Sequence, residues 1–491
     1  MRKFLEKYPL FLLLLPAFVV IHLENEWHTL IPYKFVYDRV IILFIVPFII
    51  LGIWYLFFRT ISIASLMTLC CLLPLYYTGE FKNWLSDKFP HSFLQSYSFL
   101  MAVLIVIVLV LFFVLRKKQA LPRKLFFFIN TAIFLFIAAD VVKIFLLGSK
   151  NKYVVDVKHK LSYHPCDSCK KPDIYYIIFD AYASSKQLKD RYGYSNQAID
   201  DYLRNKGFYI VKDSKSSYNF TTFSVGSILN MNYLKNVDTI NKTTDREYLQ
   251  ALRLSYKNEV VTFLQNEGYS ILNHSVFDFD SHPTSINNFD LWGIRRLYDE
   301  NNLLFKLGRD IGYHLPAKIE ALLNNDRNYV YTPFNMRQHT DKTLKEIMTS
   351  VKLKTERPKF VYGHFVRTHP PYFYDSSGKL FGSSPPTSGV AYLHQIAFSN
   401  NIIKQITDSI MIYSNRPTVI IFQGDHGISF ENPINQQDFF SNFNAIYFSN
   451  KNYGLLTDST HNVNTFRIVL NTFFDQEMKL LPYKSEFIRW W

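Results

Sequence analysis

The 491 residues are more than one average domain needs, and the 48% apolar content is unevenly spread: the long apolar runs all fall in the first 150 residues, and the rest reads as a soluble mixture. The net charge of +14 does not trace a nucleic-acid track, because +8 of it belongs to residues 1–150, the remaining +6 is spread over 341 residues, and no basic run with interleaved aromatics stands out. That distribution argues for no nucleic-acid partner and fits a basic membrane protein that handles anionic lipid head groups or phosphorylated glycans.

Five stretches are long and apolar enough to predict membrane spans: 8–23, 39–58, 60–78, 97–115 and 125–147. The first follows a basic "MRKFLEK" but has no small-residue cleavage site before "HLENEWHTL", so it reads as an uncleaved anchor rather than a signal peptide. With the N-terminus in the cytoplasm, that side receives Arg2, Lys3, Lys7, Arg59 and the cluster "RKKQALPRK", whereas the opposite loops carry mainly Lys34, Lys82 and Lys88. An odd number of spans then predicts a multi-pass inner (plasma) membrane protein whose residues after Leu147 are extracytoplasmic. The domain expectation is a transmembrane domain over 1–150, a linker over 151–171 and an outer domain over 172–491.

The linker contains "HPCDSCKKPD". A C-x-x-C pair can be a redox motif, half a zinc site or a local disulfide. Outside the cytoplasm a Cys166–Cys169 disulfide is the favoured reading; zinc held by His164 and the two thiolates is the alternative. From Pro172 on, short apolar runs ("DIYYIIF", "GFYIV", "YSILNHSVF", "KFVYGHFV", "TVIIF", "NAIYFS") alternate with stretches of helical period, predicting an α/β domain with a mainly parallel central sheet.

In open α/β sheets the chemistry gathers at the carboxyl ends of strands. Three runs end on polar residues there: "DIYYIIF" at Asp180, "KFVYGHFV" with His364 inside it and His369 just beyond, and "TVIIFQG" at Asp425-His426. Carboxylates and imidazoles in that number suit Zn²⁺ or Mn²⁺ with an open position for catalysis. Gly424 and Gly427 are expected to turn the backbone around the ion. "SYNFTTFSVGSILNMNYL" supplies a nucleophile candidate, since Thr221 or Thr222 would sit at a helix N-terminus that favours an anion; an ordinary threonine cap is the competing explanation.

"PDIYYIIFDAY", "TTFSVGSILN", "FVRTHPPY" and "IIFQGDHG" stand in the order found in the alkaline phosphatase superfamily, and the chain resembles its sulfatase-like branch, with membrane-anchored lipoteichoic acid synthases and phosphoethanolamine transferases. The resemblance implies an N-terminal bundle of five transmembrane helices joined to an alkaline-phosphatase-like α/β domain. It implies one divalent metal, Zn²⁺ or Mn²⁺, on Asp180, Thr221, Asp425 and His426, with Thr221 as nucleophile and His369 on the substrate side, and His364 as a further substrate contact. It also implies transfer of a phosphoethanolamine- or phosphoglycerol-type head group from a phospholipid to a surface glycan or glycolipid through a phosphothreonine; a membrane-anchored phosphodiesterase and a non-catalytic scaffold in glycan assembly are the alternatives. Three departures stand out. Asp180 replaces the Glu usual in those transferases, Ala181 and Tyr182 stand where two-metal enzymes place further acids, and no C-x-P-S-R or S-x-P-S-R sequence is present, which argues against a formylglycine sulfatase. His461 reads as a loop histidine rather than a late ligand.

Overall fold

A computed structural model describes residues 2–27, 37–90, 92–118, 121–147, 155–157, 161–164, 166, 168–286, 301–307, 334–370, 372, 374–379, 381, 386–428 and 435–489. The chain divides into two units, Met1–Lys152 with Asp290–Asp326, and Tyr153–Phe289 with Arg327–Trp491. The predicted linker falls partly outside the described residues.

The first unit is helical: α1 (Arg2–Lys7), α2 (Phe11–Trp27), α3 (Tyr37–Phe58), α4 (Ile61–Lys88), α5 (Tyr97–Arg116) and α6 (Arg123–Leu147). Four of these, α3 to α6, are long and apolar enough to cross a membrane. The fifth apolar helix, α2, has 17 residues and Pro16 inside it, and so reaches about 25 Å. The span expected at 60–78 continues as one helix to Lys88, because "GEFKNWLSDK" keeps helical propensity after the apolar stretch ends. Helix α4 is the most enclosed, with half of its apolar window buried, while α3, α5 and α6 turn most of theirs outward, the distribution expected when lipid replaces water around a bundle. Phe11, Leu12 and Leu15 pack with Leu69, Leu72, Tyr76 and Phe126 in its core.

One buried polar residue holds the break between α1 and α2. Asn130 of α6 accepts from the Phe11 N–H at 2.7 Å and donates to the carbonyls of Leu5 and Tyr8, each at 2.9 Å. Residues 290–326, within the stretch expected to form the outer domain, are described only at 301–307, and these count with this unit. Their described helix, Leu303–Leu307, is flanked by contacts to α4: the Gly79 N–H donates to the Asn301 carbonyl at 3.0 Å and Lys306 Nζ to Asn83 Oδ1 at 2.9 Å.

The second unit is built on a six-stranded mixed sheet in the order β3-β8-β7-β2-β6-β5, where β2 is Asp173–Phe179, β3 Tyr209–Ile210, β5 Ser270–His274, β6 Lys359–Phe365, β7 Thr418–Gly424 and β8 Asn444–Phe448. Strands β5, β6, β2 and β7 are parallel, and β8 and β3 add antiparallel pairs at one side. A separate two-stranded pair joins β1 (Asp156–Val157) to β4 (Leu234–Lys235). Continuous apolar runs such as "DIYYIIF" follow from burial of both sheet faces. Tyr175, Ile177 and Phe179 enter a core with Phe365, Phe422 and Ile403. Tyr176, pointing the other way, meets Tyr362 and Phe466.

The register sets up everything at the carboxyl edge: Phe179 pairs with Phe365 on one side and with Gly424 on the other. Asp180 and Asp425 are therefore the next residues off adjoining strand ends.

Replacing Asn130 by Leu strands one buried N–H and two carbonyls, each worth about 1–3 kcal/mol when unsatisfied. Thermal unfolding of detergent-solubilised Asn130→Leu is expected well below wild type; an unchanged transition would show that the helix break holds without this clamp.

Candidate active site

Asp180, Asp425 and His426 are buried and bring one ligand atom each within 4.8 Å of one another. His426 Nε2 lies 3.5 Å from Asp180 Oδ1 and 3.5 Å from Asp425 Oδ2. The other oxygen of Asp425 is already used, accepting from the backbone N–H of Ala181 and of His426, both at 3.0 Å. His426 Nδ1 faces the Gly427 carbonyl at 2.8 Å; a carbonyl only accepts, so Nδ1 carries the proton and Nε2 presents its lone pair to the cluster.

Thr221 completes the group. It opens α7 (Thr221–Leu229), and its Oγ1 stands 3.2 Å from His426 Nε2. The N-cap is the extended Phe220, with no side-chain cap, so Thr221 is not the capping threonine weighed from the sequence. Thr222 is also buried, but its hydroxyl has no hydrogen-bond partner among the described residues. Helix α7 is tied to the cluster by Ser224 Oγ, which donates to the Asp425 carbonyl at 2.6 Å.

The polar balance of this cluster points to a cation. Asp180 Oδ1 and Asp425 Oδ2 are buried without any hydrogen-bond donor among the described residues, which is costly for a carboxylate oxygen. Burial pushes Asp180 upward, but His369, His364 and His426 together outweigh it and hold the carboxyl down at about 2. Burial and the neighbouring Asp180 charge push Asp425 the other way, above the ordinary carboxylate range. Two carboxylate oxygens, an imidazole nitrogen and a hydroxyl fit one divalent ion of the zinc or manganese kind.

His364 of β6 is fully buried, with Nε2 3.8 Å from Asp180 Oδ2 and Nδ1 3.4 Å from the Tyr362 hydroxyl. It therefore faces Asp180 from inside the sheet. His339, on the helix Phe334–Lys352, is buried near enough to feel the His364 charge; burial first, and His364 second, push its imidazole down to about 3. His369 is half-buried, its Nδ1 donating to the Pro370 carbonyl at 2.7 Å. His461 stacks on Tyr483 at 4.2 Å and belongs to no cluster of ligand atoms among the described residues. Cys166 and Cys169 form a disulfide with Cα atoms 5.5 Å apart, and the backbone of the adjacent His164 is held at both N–H and C=O by the Gln476 side chain.

The two glycines do something other than turn. Neither has the positive φ that would require glycine; a Cβ at Gly424 would stand 2.4 Å from the Tyr182 carbonyl oxygen, and one at Gly427 2.1 Å from that of Asp438. They admit neighbouring backbone. The left-handed residue is Ala181, with φ of 57°, whose N–H is thereby aimed at Asp425.

Other supports are invisible to motif reasoning. Asn442 and Asn462 both donate to the Gly424 carbonyl, the latter at 3.0 Å, Thr368 donates to the Asp180 carbonyl, and the Tyr392 hydroxyl donates to the Ala181 carbonyl at 2.9 Å. Asparagines in "SNFN" and "HNVN" look like ordinary turn formers, so no sequence signal separates them.

Buried carboxylates, an imidazole and a helix-terminal hydroxyl at the carboxyl edge of a mostly parallel sheet define an enzyme of the sulfatase-like hydrolase and transferase type. The chain belongs to the sulfatase family, whose profile matches residues 172–472. Comparison with curated proteins by sequence finds no match. Among solved structures, the chain is similar to the integral membrane lipooligosaccharide phosphoethanolamine transferase A (EptA) of Neisseria meningitidis, at 10% identity and a TM-score of 0.40 over 90% of this chain and 89% of that one. It is also similar to the C-terminal periplasmic domain of Escherichia coli EptC in complex with Zn, at 11% identity and a TM-score of 0.36 over 61% and 79%. The corresponding domain of the phosphoethanolamine transferase EptC from Campylobacter jejuni aligns at 10% identity and a TM-score of 0.36 over 65% and 92%.

Saturating Zn²⁺ at about 100 times its dissociation constant is expected to stabilise the folded protein by about 2.7 kcal/mol, read as a rise in the thermal transition that EDTA reverses. Gly427→Ala is expected to abolish most of that rise, since its methyl group must displace the Asp438 carbonyl; a full metal-induced shift in this variant would show that the close approach does not shape the cluster.

Proposed function

We propose that this is a membrane-anchored transferase that moves a phosphoethanolamine- or phosphoglycerol-type head group from a phospholipid to a surface glycan or glycolipid through a phosphothreonine at Thr221. The observation that carries the reading is the pair of donorless carboxylate oxygens, Asp180 Oδ1 and Asp425 Oδ2, facing the lone-pair nitrogen of His426 with the Thr221 hydroxyl alongside. Asp180, Thr221, Asp425 and His426 would hold one divalent ion, Zn²⁺ or Mn²⁺. When bound, such an ion polarises a phosphoryl oxygen and lowers the pKa of a neighbouring hydroxyl.

The chain's own groups then divide the work. Thr221, deprotonated, attacks the phosphorus of the donor; its Oγ–P bond forms as the bond to the lipid alkoxide breaks. The N-terminal amides of α7 stabilise the phosphoryl charge. His369 gives a proton to the departing alkoxide, then takes one from the acceptor hydroxyl that releases the head group from Thr221. His364, set behind Asp180, orients that carboxylate rather than touching substrate, a change from the role expected of it in the sequence. Water in place of the acceptor would make the same site a phosphodiesterase, and the sulfatase family assignment accommodates that second reading.

The membrane placement supports a lipid donor. Lys/Arg bias puts the N-terminus and the "RKKQALPRK" loop in the cytoplasm, with the catalytic domain on the outer side of the plasma membrane.

Brief incubation of the metal-loaded protein with phosphatidylethanolamine or phosphatidylglycerol is expected to leave a head-group phosphate adduct on the peptide containing Thr221, detected by mass spectrometry. Thr221→Ala should lose both adduct and turnover while inserting normally in membranes, and wild-type turnover by that variant would sink the assignment. Passage of the label to a glycan, as opposed to free head group alone, decides between transferase and phosphodiesterase. Reporter fusions after Gly148 are expected to be active only as extracytoplasmic reporters; a cytoplasmic readout would remove the outer-leaflet donor from consideration.

A further inference from the structure

His369 sits in a segment flanked by an unusual buried cation. Arg367 is only 6% exposed, and its Nε and Nη1 have no hydrogen-bond partner among the described residues. Its guanidinium carbon lies 4.3 Å from the centre of the Tyr374 ring and 4.1 Å from that of Phe398, so aromatic faces supply much of what hydrogen bonds usually give a buried guanidinium. Arg367 Nη2 reaches Asp341 Oδ1 at 3.4 Å, and the Tyr374 hydroxyl reaches Asp341 Oδ2, also at 3.4 Å. Residues on either side of His369 are thus drawn to each other and to one carboxylate on the helix Phe334–Lys352, while Thr368 between them donates to the Asp180 carbonyl.

We propose that Asp341, Arg367, Tyr374 and Phe398 form a clasp that holds His369 beside Asp180, making Arg367 a positioning residue for proton transfer. This rests on the role given to His369 above. The clasp needs a planar cation laid against two neighbouring rings, whose centres are 5.7 Å apart, which is why Arg rather than Lys stands at 367.

The test uses full-length, zinc-loaded protein and reads the clasp in two ways. The first is the rate at which diethyl pyrocarbonate modifies His369, followed by peptide mass spectrometry. The second is kcat and KM for phospholipid turnover, with metal content measured in parallel. Arg367→Met is expected to raise the modification rate several-fold and to lower kcat by about 10-fold or more, the usual scale for a group that orients a site residue, with KM and metal content unchanged. Tyr374→Phe keeps the ring but drops the hydroxyl, so it should fall between wild type and Arg367→Met. Asp341 is 63% exposed at its side chain, so Asp341→Ala keeps the test open if Arg367→Met does not fold, and it should shift both readouts in the same direction. Unchanged His369 modification in Arg367→Met and Asp341→Ala, or a kcat loss matched by loss of metal, would overturn the clasp. Wild-type turnover in His369→Ala would instead contradict the catalytic role of His369, and the modification arm would still decide the clasp.

Discussion

Two carboxylates placed side by side in a dry setting are the constraint on which the rest of the outer domain depends. Asp180 and Asp425 follow paired strand ends and come within 4.8 Å at their ligand atoms. At an effective dielectric of about 20, two such charges repel by about 3–4 kcal/mol, and neither facing oxygen has a donor to offset it. A structure that builds this juxtaposition from its most deeply buried strands is arranged for a cation. Burial and the neighbouring Asp180 charge push Asp425 above the ordinary carboxylate range, while at Asp180 burial is outweighed by the surrounding histidines.

The surrounding architecture can be understood as what keeps the carboxylates from turning away. Ala181, in a left-handed conformation, and the His426 backbone occupy one oxygen of Asp425, leaving the other to face inward. His364 stands by the second oxygen of Asp180. Asn442 and Asn462 hold the Gly424 carbonyl, and Ser224 fastens α7 to the Asp425 carbonyl, bringing Thr221 to the cluster. Positioning of this kind lets a weak nucleophile act, because geometry and local charge are set before substrate arrives.

Much of this was legible in the sequence, and for a physical reason. Apolar runs that lack alternation mark strands buried on both faces, and polar residues at their ends stand out against them, so Asp180 and Asp425-His426 could be placed on one edge from "DIYYIIF" and "TVIIFQG" alone. The glycines of "GDHG" misled, because a requirement for close backbone approach looks the same in one dimension as a requirement for a turn. Asn442, Asn462 and Arg367 act through partners remote in sequence, such as Arg367 on Phe398, and no local pattern announces them. The helix Leu303–Leu307, flanked by hydrogen bonds to α4, likewise depends on tertiary packing, which overrides a boundary drawn from composition.

The central claim, that the donorless atoms at the strand ends form one divalent metal site, is most directly tested by anomalous diffraction from crystals of the zinc-loaded protein. The account predicts a single strong peak within coordinating reach of Asp180 Oδ1, Asp425 Oδ2, His426 Nε2 and Thr221 Oγ1. No peak there, or a second ion of equal occupancy held by other residues beside Asp180, would contradict it.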